Sequence, residues 1–158
     1  MKVIGPAAGR ALGDARRIFK DVPLVHAATL LPDGMPHVVP LWFVWLDDDV
    51  VVSCRAGSQV WSNLRRDPRV TLEIERGRMW AEHAGIMVRG RAESVPVDGP
   101  QGKRALSVWF EKYRDDLAGP GFAAYTEQVV EPRLFRVLAA SVSTWRHGPS
   151  AQPWEVRT

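Results

Sequence analysis

The strongest constraint on the fold is a run of nine consecutive apolar residues at positions 38–46, which includes two tryptophans and one proline. The run is too short to span a membrane as a helix, and it is rich in the valine and aromatic residues that strands favour. A strand with one face in solvent alternates apolar and polar residues, whereas this strand is apolar throughout, so both of its faces must be covered. One face would fill a core, and the other would meet a packed helix or, in the interpretation we favour, a second subunit.

Turn-forming residues divide the rest of the chain into short elements. Apolar residues without helical spacing predict strands at 24–31, 37–46, 50–55, 69–75, 86–95 and 133–138, the last continuing after a bulge to Trp145. Helical spacing predicts helices at 12–20, at 57–66 with Ser58 as N-cap, and at 101–117 with six residues facing inward: Ala105, Leu106, Val108, Trp109, Phe110 and Tyr113.

The order of these elements indicates the class of fold. Successive strands joined by tight turns predict a mainly β structure, an antiparallel barrel or a sandwich with peripheral helices, and we expect the barrel. A single domain would span residues 1–148, with a C-terminal tail at 149–158.

Composition excludes several classes of function. The 18 acidic residues are mixed among 21 basic ones, without a run of five basic residues, so we expect no nucleic-acid partner. Cys54 is the only cysteine and the four histidines form no i,i+4 pair, so neither a disulfide nor a zinc site is expected. No run is long enough for a membrane span, and the residues after Met1 lack the apolar stretch of a signal peptide, which predicts a cytoplasmic protein.

Groupings of catalytic side chains are also scarce. Glu82 and His83 are neighbours in a predicted loop, where we expect surface roles. Ser58 lacks the Gly-x-Ser-x-Gly setting of a hydrolase nucleophile, and the glycines form neither a dinucleotide-binding nor a P-loop pattern. The sequence therefore suggests neither a hydrolase nor a phosphate-binding glycine loop.

Two segments predict a ligand site. Residues 53–58 lead from a strand into a helix start, which places two hydroxyls, the Arg55 guanidinium and free helix N–H groups close together, as in an anion site. Pro40 has no N–H to give to a strand ladder, so main-chain groups around it could face a flat ligand. The alternatives are an ordinary capped helix with Arg55 in solvent and an edge or bulge proline.

Four segments, taken in order and spacing, resemble the pyridoxamine 5′-phosphate oxidase-like superfamily: PDGMPHVVPL at 32–41, GS at 57–58, NLRRDPRV at 63–70 and VRGRAE at 88–93. The resemblance covers residues 23–97 and implies an antiparallel split β-barrel like that of FMN-binding proteins. It also implies a homodimer with two interface sites for FMN or the deazaflavin coenzyme F-420. By position, the ring would lie against Val39, Pro40, Leu41 and Trp42, and the phosphate against Ser53, Cys54, Arg55, Ser58, Gln59 and Val60.

The sequence departs from the family pattern at the phosphate end, because Gln59 and Val60 occupy positions that commonly hold Arg and Lys. Arg55, Arg65 or Arg66 could supply the charge instead, and a chain without any cofactor is the alternative. Val39 stands where the oxidase itself has arginine, so pyridoxamine phosphate is not the expected substrate.

The resemblance implies an oxidoreductase whose flavin or deazaflavin transfers hydride to or from a small flat or hydrophobic substrate. The walls of an apolar pocket would come from tryptophans: Trp42, Trp61, and Trp145 or Trp80. Three alternatives stay open: a non-catalytic protein that binds flavin or haem, a family member that has lost its cofactor, and a dimeric scaffold without ligand.

Overall fold

In the described part of the chain, six antiparallel strands close into a barrel. The computed structural model describes residues 2–4, 6–119 and 132–148, with side chains from residue 11 onward in these ranges. Its strands are β1 (Lys2–Ile4), β2 (Leu24–Leu30), β3 (Pro36–Leu46), β4 (Asp49–Arg55), β5 (Arg69–Arg76), β6 (Ala84–Val95) and β7 (Pro132–Arg146). Its helices are α1 (Pro6–Phe19), α2 (Gln59–Arg66), α3 (Pro100–Lys112) and α4 (Arg114–Leu117), with a 3₁₀ turn at Trp80–Glu82.

Strand pairing confirms the barrel rather than the sandwich. The order around it is β7, β4, β3, β2, β5 and β6, and β6 returns to β7 along its whole length. Closure of this kind removes the open sheet edges that a sandwich would keep. β1 adds to the C-terminal part of β7, where Lys2 pairs with Ser143. The sequence did not predict β1, because three residues are too few to show a strand period.

Alternating side chains of the strands fill the barrel with a single large cluster. Several of these side chains have no exposed surface: Phe43, Val52, Leu72, Ile74 and Ile86. Two helices contribute to the same cluster, α1 through Leu12, Ala15 and Phe19, and α2 through Val60 and Leu64. The burial of Val60 and Leu64 anchors α2, which follows the predicted phosphate segment, against the barrel.

The apolar strand β3 is covered on both faces over only part of its length. Phe43 and Trp45 point into the barrel, while Val44 and Leu46 point outward into a second cluster that α3 covers with Ala105. For this half of the strand the covering element is a packed helix, one of the two options that the sequence left open. In the first half the outward face stays open, since Val38 is 58% exposed and Pro40 is exposed as well.

The predicted helix at 101–117 is two helices, because Tyr113 leaves helical geometry with φ −105° and ψ 19°. The inward stripe of α3 is also narrower than expected. Val108 is 38% exposed and Phe110 55%, whereas Ala105 is buried and Leu106 and Trp109 are partly buried. A helix on a barrel surface buries one stripe only, so the residues on either side of that stripe face solvent.

The predicted last strand and its bulge are both present in β7, which runs from Pro132 to Arg146. Arg89 pairs with Ser141 but Gly90 pairs with Ala139, so one residue of β7 is left out of the ladder. A Cβ at Gly90 would lie 2.0 Å from the Leu138 carbonyl oxygen, which explains the glycine at this close approach. Residues 149–158, predicted as a tail, lie outside the described residues.

Within ranges 2–4, 6–119 and 132–148, every helix is too short or too polar to cross a bilayer.

Candidate functional site

The barrel wall opens between β3 and β4. Their pairing runs from Leu46 and Asp49 to Phe43 and Val52 and then stops, in the described part of the chain. Beyond that point the residues of β3 pair with β2, and those of β4 pair with β7. Across the opening the Ser53 hydroxyl donates to the Trp42 carbonyl oxygen at 3.4 Å. The main chain of residues 39–41 therefore lies at an open edge of β3, to which the β4 ladder does not extend.

Pro40 does not interrupt the pairing of β3 with β2. The β2–β3 register passes through the pair His26 and Pro40 without a shift. The ladder that stops short of Pro40 is the one with β4, on the other side of β3.

The predicted ring-facing residues divide between the two faces of β3. Val39 and Leu41 pack against the barrel core, so their side chains do not face a ligand at the open edge. Pro40 and Trp42 lie on the outer face. The Trp42 indole stacks on the Tyr113 ring, with centroids 5.0 Å apart and an interplanar angle of 18°. α3 and the residue that ends it therefore hold Trp42 in place beside the open edge.

The predicted phosphate segment turns from β4 into α2. Gly57 has φ +76°, a left-handed conformation that favours glycine. Ser58 is the N-cap of α2, as predicted, and its hydroxyl accepts from the Trp61 N–H at 3.3 Å. The N–H groups of Gln59 and Val60 belong to the first helical turn, where a helix has no internal acceptors. The main chain at this turn is therefore suited to an anion.

The side chains of Gln59 and Val60 point away from that role. The Gln59 amide donates to Asn63 Oδ1 at 2.8 Å. Val60 is 4% exposed and belongs to the barrel core, so any contact it makes with an anion is through its main chain.

A buried asparagine that sequence reasoning did not assign to the site holds α2 in position. Asn63 is fully buried, and its Nδ2 donates to Thr29 Oγ1 of β2 at 2.9 Å. Arg66 donates to Asn63 Oδ1 at 3.3 Å and also to the Leu30 carbonyl oxygen. Arg66, one of the predicted sources of phosphate charge, is thus engaged in fastening α2 to β2.

Arg133, which is distant in sequence, adds a positive charge beside the predicted phosphate segment. It pairs with Cys54 across β4 and β7. Burial raises the pKa of the Cys54 thiol, while a hydrogen bond with Ser58 and the charge of Arg133 act in the opposite direction. Arg55 is exposed at the end of β4. No local motif could have identified Arg133, because barrel closure alone brings it beside Cys54.

An open cleft of about 580 Å³ lies beside α2. This α2 cleft is lined by Trp61, Arg65, residues 94–98, Pro132, Arg133 and Phe135. The Arg65 guanidinium lies 4.6 Å from the centroid of the Trp61 ring. Arg65 and Arg133 thus bring two positive charges to a cleft that adjoins the predicted phosphate segment.

The four tryptophans proposed as pocket walls do not meet. Trp145 pairs with Gly85 near the start of β6, whereas the Trp61 cleft adjoins the end of β6. Gly85 and Ser94 lie nine positions apart on the strand, a distance of about 30 Å. Trp80 is 67% exposed, with its ring 5.9 Å from that of His147. Only Trp42 and Trp61 lie near the predicted cofactor residues.

The described residues contain no group of three or more His, Cys, Asp or Glu side chains arranged to hold a metal ion. Glu82 is exposed and accepts from the Arg78 N–H at 3.4 Å, in agreement with a surface role.

A second cleft of about 560 Å³ lies between α1 and α3. Lys112 lines it and donates to the Phe43 carbonyl oxygen at 3.1 Å. Its Nζ also lies 3.5 Å from the centroid of the Phe43 ring. Burial lowers the pKa of Lys112 to about 8. The lining of this α3 cleft includes none of the predicted cofactor residues.

The geometry around β3 and α2 fits a planar ring that carries an anionic arm. The open edge of β3 offers main-chain donors and acceptors to a ring. The first turn of α2 and the nearby arginines offer donors and positive charge to a phosphate.

Comparisons with known proteins agree with this fold. The family model described as pyridoxamine 5′-phosphate oxidase matches residues 13–147. A conserved hypothetical protein from Mycobacterium tuberculosis has 25% sequence identity and a TM-score of 0.69, with 99% of this chain and 94% of that chain covered. None of the curated proteins matches the chain.

Two other solved structures share the fold at lower identity. A heme storage protein from Vibrio cholerae has 16% identity and a TM-score of 0.67, covering 87% of this chain and 95% of that chain. A FAD-binding protein from Mesorhizobium loti has 17% identity and a TM-score of 0.62, covering 92% and 98%.

Proposed function

The chain belongs to the pyridoxamine 5′-phosphate oxidase family, and from this membership we propose that it is a flavin- or deazaflavin-dependent oxidoreductase. The cofactor, FMN-like or the deazaflavin coenzyme F-420, supplies hydride transfer to or from a small flat or hydrophobic substrate. The residues of the chain bind and orient the ring and exclude water, and no side chain is required as a catalytic acid or base. The site lies at the interface of a homodimer.

The observation that carries this proposal is the open main-chain edge of β3 next to the start of α2. Polar ring atoms can pair with such an edge as a neighbouring strand would. The end of β4 brings Arg55 and the first turn of α2 to the same opening. A phosphorylated ring would therefore meet main-chain groups at one end and helix N–H groups and positive charge at the other.

The outer face of β2 and β3 supports the homodimer. Val38 is 58% exposed, Met35 60% and Leu24 38%, and Pro40 is exposed between them. Exposed apolar side chains grouped on one face of a domain favour an interaction site there. A second copy placed here would cover the residues that α3 leaves open and would shield the edge of β3 from water.

Gln59 and Val60 stand where the family commonly has Arg and Lys, and this difference predicts a lower affinity for a phosphate unless other residues supply the charge. One charge-assisted hydrogen bond to phosphate contributes about 1.5–3 kcal/mol, which corresponds to about ten- to a hundredfold in affinity. Because Val60 lies in the core, the compensating charge must come from elsewhere. The candidates to supply it are Arg65 and Arg133, which line the α2 cleft, and Arg55, which ends β4.

A second candidate is a non-catalytic protein that binds haem or flavin. The likeness to the heme storage protein from Vibrio cholerae, with a TM-score of 0.67, favours it. The absorbance spectrum separates the candidates, since a flavin, a deazaflavin and a haem absorb at different wavelengths.

The test is a fluorescence titration of the purified full chain with FMN and F-420, with haem titrated by absorbance. We expect one of the two redox cofactors to bind, and its reduced form on the protein to be reoxidised by a flat acceptor such as a quinone. Haem binding without flavin or deazaflavin binding would select the second candidate. Failure of all three to bind would overturn both.

A matched pair of variants locates the site. Arg55→Gln should weaken FMN or F-420 binding about tenfold or more, because it removes one charge near the phosphate. Arg78→Gln removes an exposed arginine beyond the far end of β5 and should leave binding within twofold. Equal effects of the two variants would contradict the phosphate assignment.

A further inference from the structure

The α2 cleft is a candidate site that the predicted ring and phosphate residues do not account for. It begins where the predicted phosphate segment ends, since Arg133 and Pro132 of the cleft pair with Cys54 and Arg55 of β4. Neighbouring strands lie about 4.8 Å apart. A ligand whose phosphate rests at the start of α2 would enter this cleft if it continued beyond that phosphate.

The cleft has the chemistry of a nucleotide site. Arg65 and Arg133 bring two guanidinium groups and Asp98 one carboxylate, so the lining has an excess of positive charge. Arg65 already lies over the Trp61 indole at 4.6 Å, which forms a layered aromatic and cationic surface. Purine bases stack on aromatic rings and on guanidinium planes, and guanidinium groups pair with phosphate oxygens.

The size of the cleft also exceeds what one phosphate requires. Its volume of about 580 Å³ lies within the range of sites for whole small molecules. Phe135 and residues 95–97 add apolar walls, which a phosphate alone would not use. A phosphate together with a ribose and a purine would use both the charged and the apolar parts of the lining.

We propose that the α2 cleft binds the purine nucleotide half of a flavin dinucleotide, so that this chain prefers FAD to FMN. The inference rests on the proposed function, because the flavin half must occupy the open edge of β3. It also gives a reason for Gln59 and Val60. The charge usually placed at the helix start is moved into the cleft, where it meets a second phosphate.

The experiment compares FMN, FAD, F-420 and ADP as ligands of the full chain by calorimetry. We expect FAD to bind at least tenfold more tightly than FMN and F-420, and ADP to compete with FAD. Arg65→Gln should lower FAD affinity at least tenfold and FMN affinity by much less, which removes most of the preference for FAD, because Arg65 lies in the cleft and is exposed. Trp61→Phe keeps an aromatic ring against the core and should retain the preference, whereas Trp61→Ala should lose it.

The outcomes separate this inference from the proposed function. Equal affinity for FMN and FAD, or tighter binding of F-420, would overturn the inference and leave the oxidoreductase proposal standing. Binding of ADP that Arg65→Gln abolishes, without binding of any flavin, would support the nucleotide cleft and overturn the flavin proposal. Absence of binding by all four ligands would overturn both. Arg78→Gln serves as the control, with no expected change.

Discussion

Replacement of Tyr113 by phenylalanine tests how the outer helices are fastened to the barrel. The side chain is 1% exposed, and its hydroxyl lies where β2 and β3 cease to pair. It accepts from the Phe43 N–H at 2.9 Å and lies 2.7 Å from the Pro23 carbonyl oxygen and 2.8 Å from that of Phe43. A hydroxyl has one proton, so it donates to one of these two carbonyls at a time.

The expected cost follows from these contacts. Tyr113→Phe keeps the ring, and with it the stacking on Trp42, so packing is unchanged. The Phe43 N–H loses the acceptor contributed by Tyr113, and an unsatisfied buried donor costs about 1–3 kcal/mol. The lost donated bond adds about 1 kcal/mol. We expect the free energy of unfolding to fall by about 2–4 kcal/mol.

The assay is urea unfolding of wild type and variant, followed by tryptophan fluorescence. If the slope of the free energy of unfolding against urea concentration is unchanged, the lost stability comes from native contacts rather than from a change in the compactness of either state. Ser107→Ala removes an exposed hydroxyl from α3 and should change stability by less than about 0.5 kcal/mol. A loss below about 1 kcal/mol for Tyr113→Phe would refute the reasoning, since water would then be replacing the hydroxyl.

Three further predictions address the site and its surroundings. Val60→Lys should destabilise the fold by several kcal/mol because it buries an ammonium group, and thermal unfolding measures this loss. Gln59→Lys, at an exposed position, should fold normally and tighten FMN binding, which titration measures. Burial lowers the pKa of Lys112 to about 8 from 10.5. At pH values between these two pKa values the unfolded chain therefore binds more protons than the folded chain, so stability rises with pH. From pH 7.5 to 10 the free energy of unfolding of wild type should rise by about 1–2 kcal/mol more than that of Lys112→Met, after allowance for the partial exposure of Lys112. Gly57→Ala should cost about 1–2 kcal/mol through strain at φ +76°, since no atom lies within 4 Å of the added Cβ, and equilibrium unfolding measures it.

Local patterns in the sequence determined most of the barrel. Alternation predicted the strand at 69–75, and the structure has β5 at Arg69–Arg76. Ser58 was identified as a helix cap because capping depends on residues within one turn. The turn before β3 likewise depends on neighbouring residues, which the sequence displays directly.

Only the tertiary structure decided which element covers the apolar strand β3. Apolar residues on both faces of 38–46 required burial, but hydrophobic burial has no direction and does not identify what does the covering. The structure places α3 over Val44 and Leu46 and leaves Val38 open. A periodic pattern reports that a face is buried, and only the packed chain shows against which element.

The candidate site shows the same division. The ring and phosphate segments could be recognised from motifs, because each lies within a few consecutive residues. The divergence of β3 from β4, the contact of Ser53 with Trp42 and the place of Arg133 beside Cys54 could not be, because they join residues 11 or more positions apart. Such contacts exist only once the strands have paired, and the pairing of β4 with β7 joins parts of the chain that no local pattern connects.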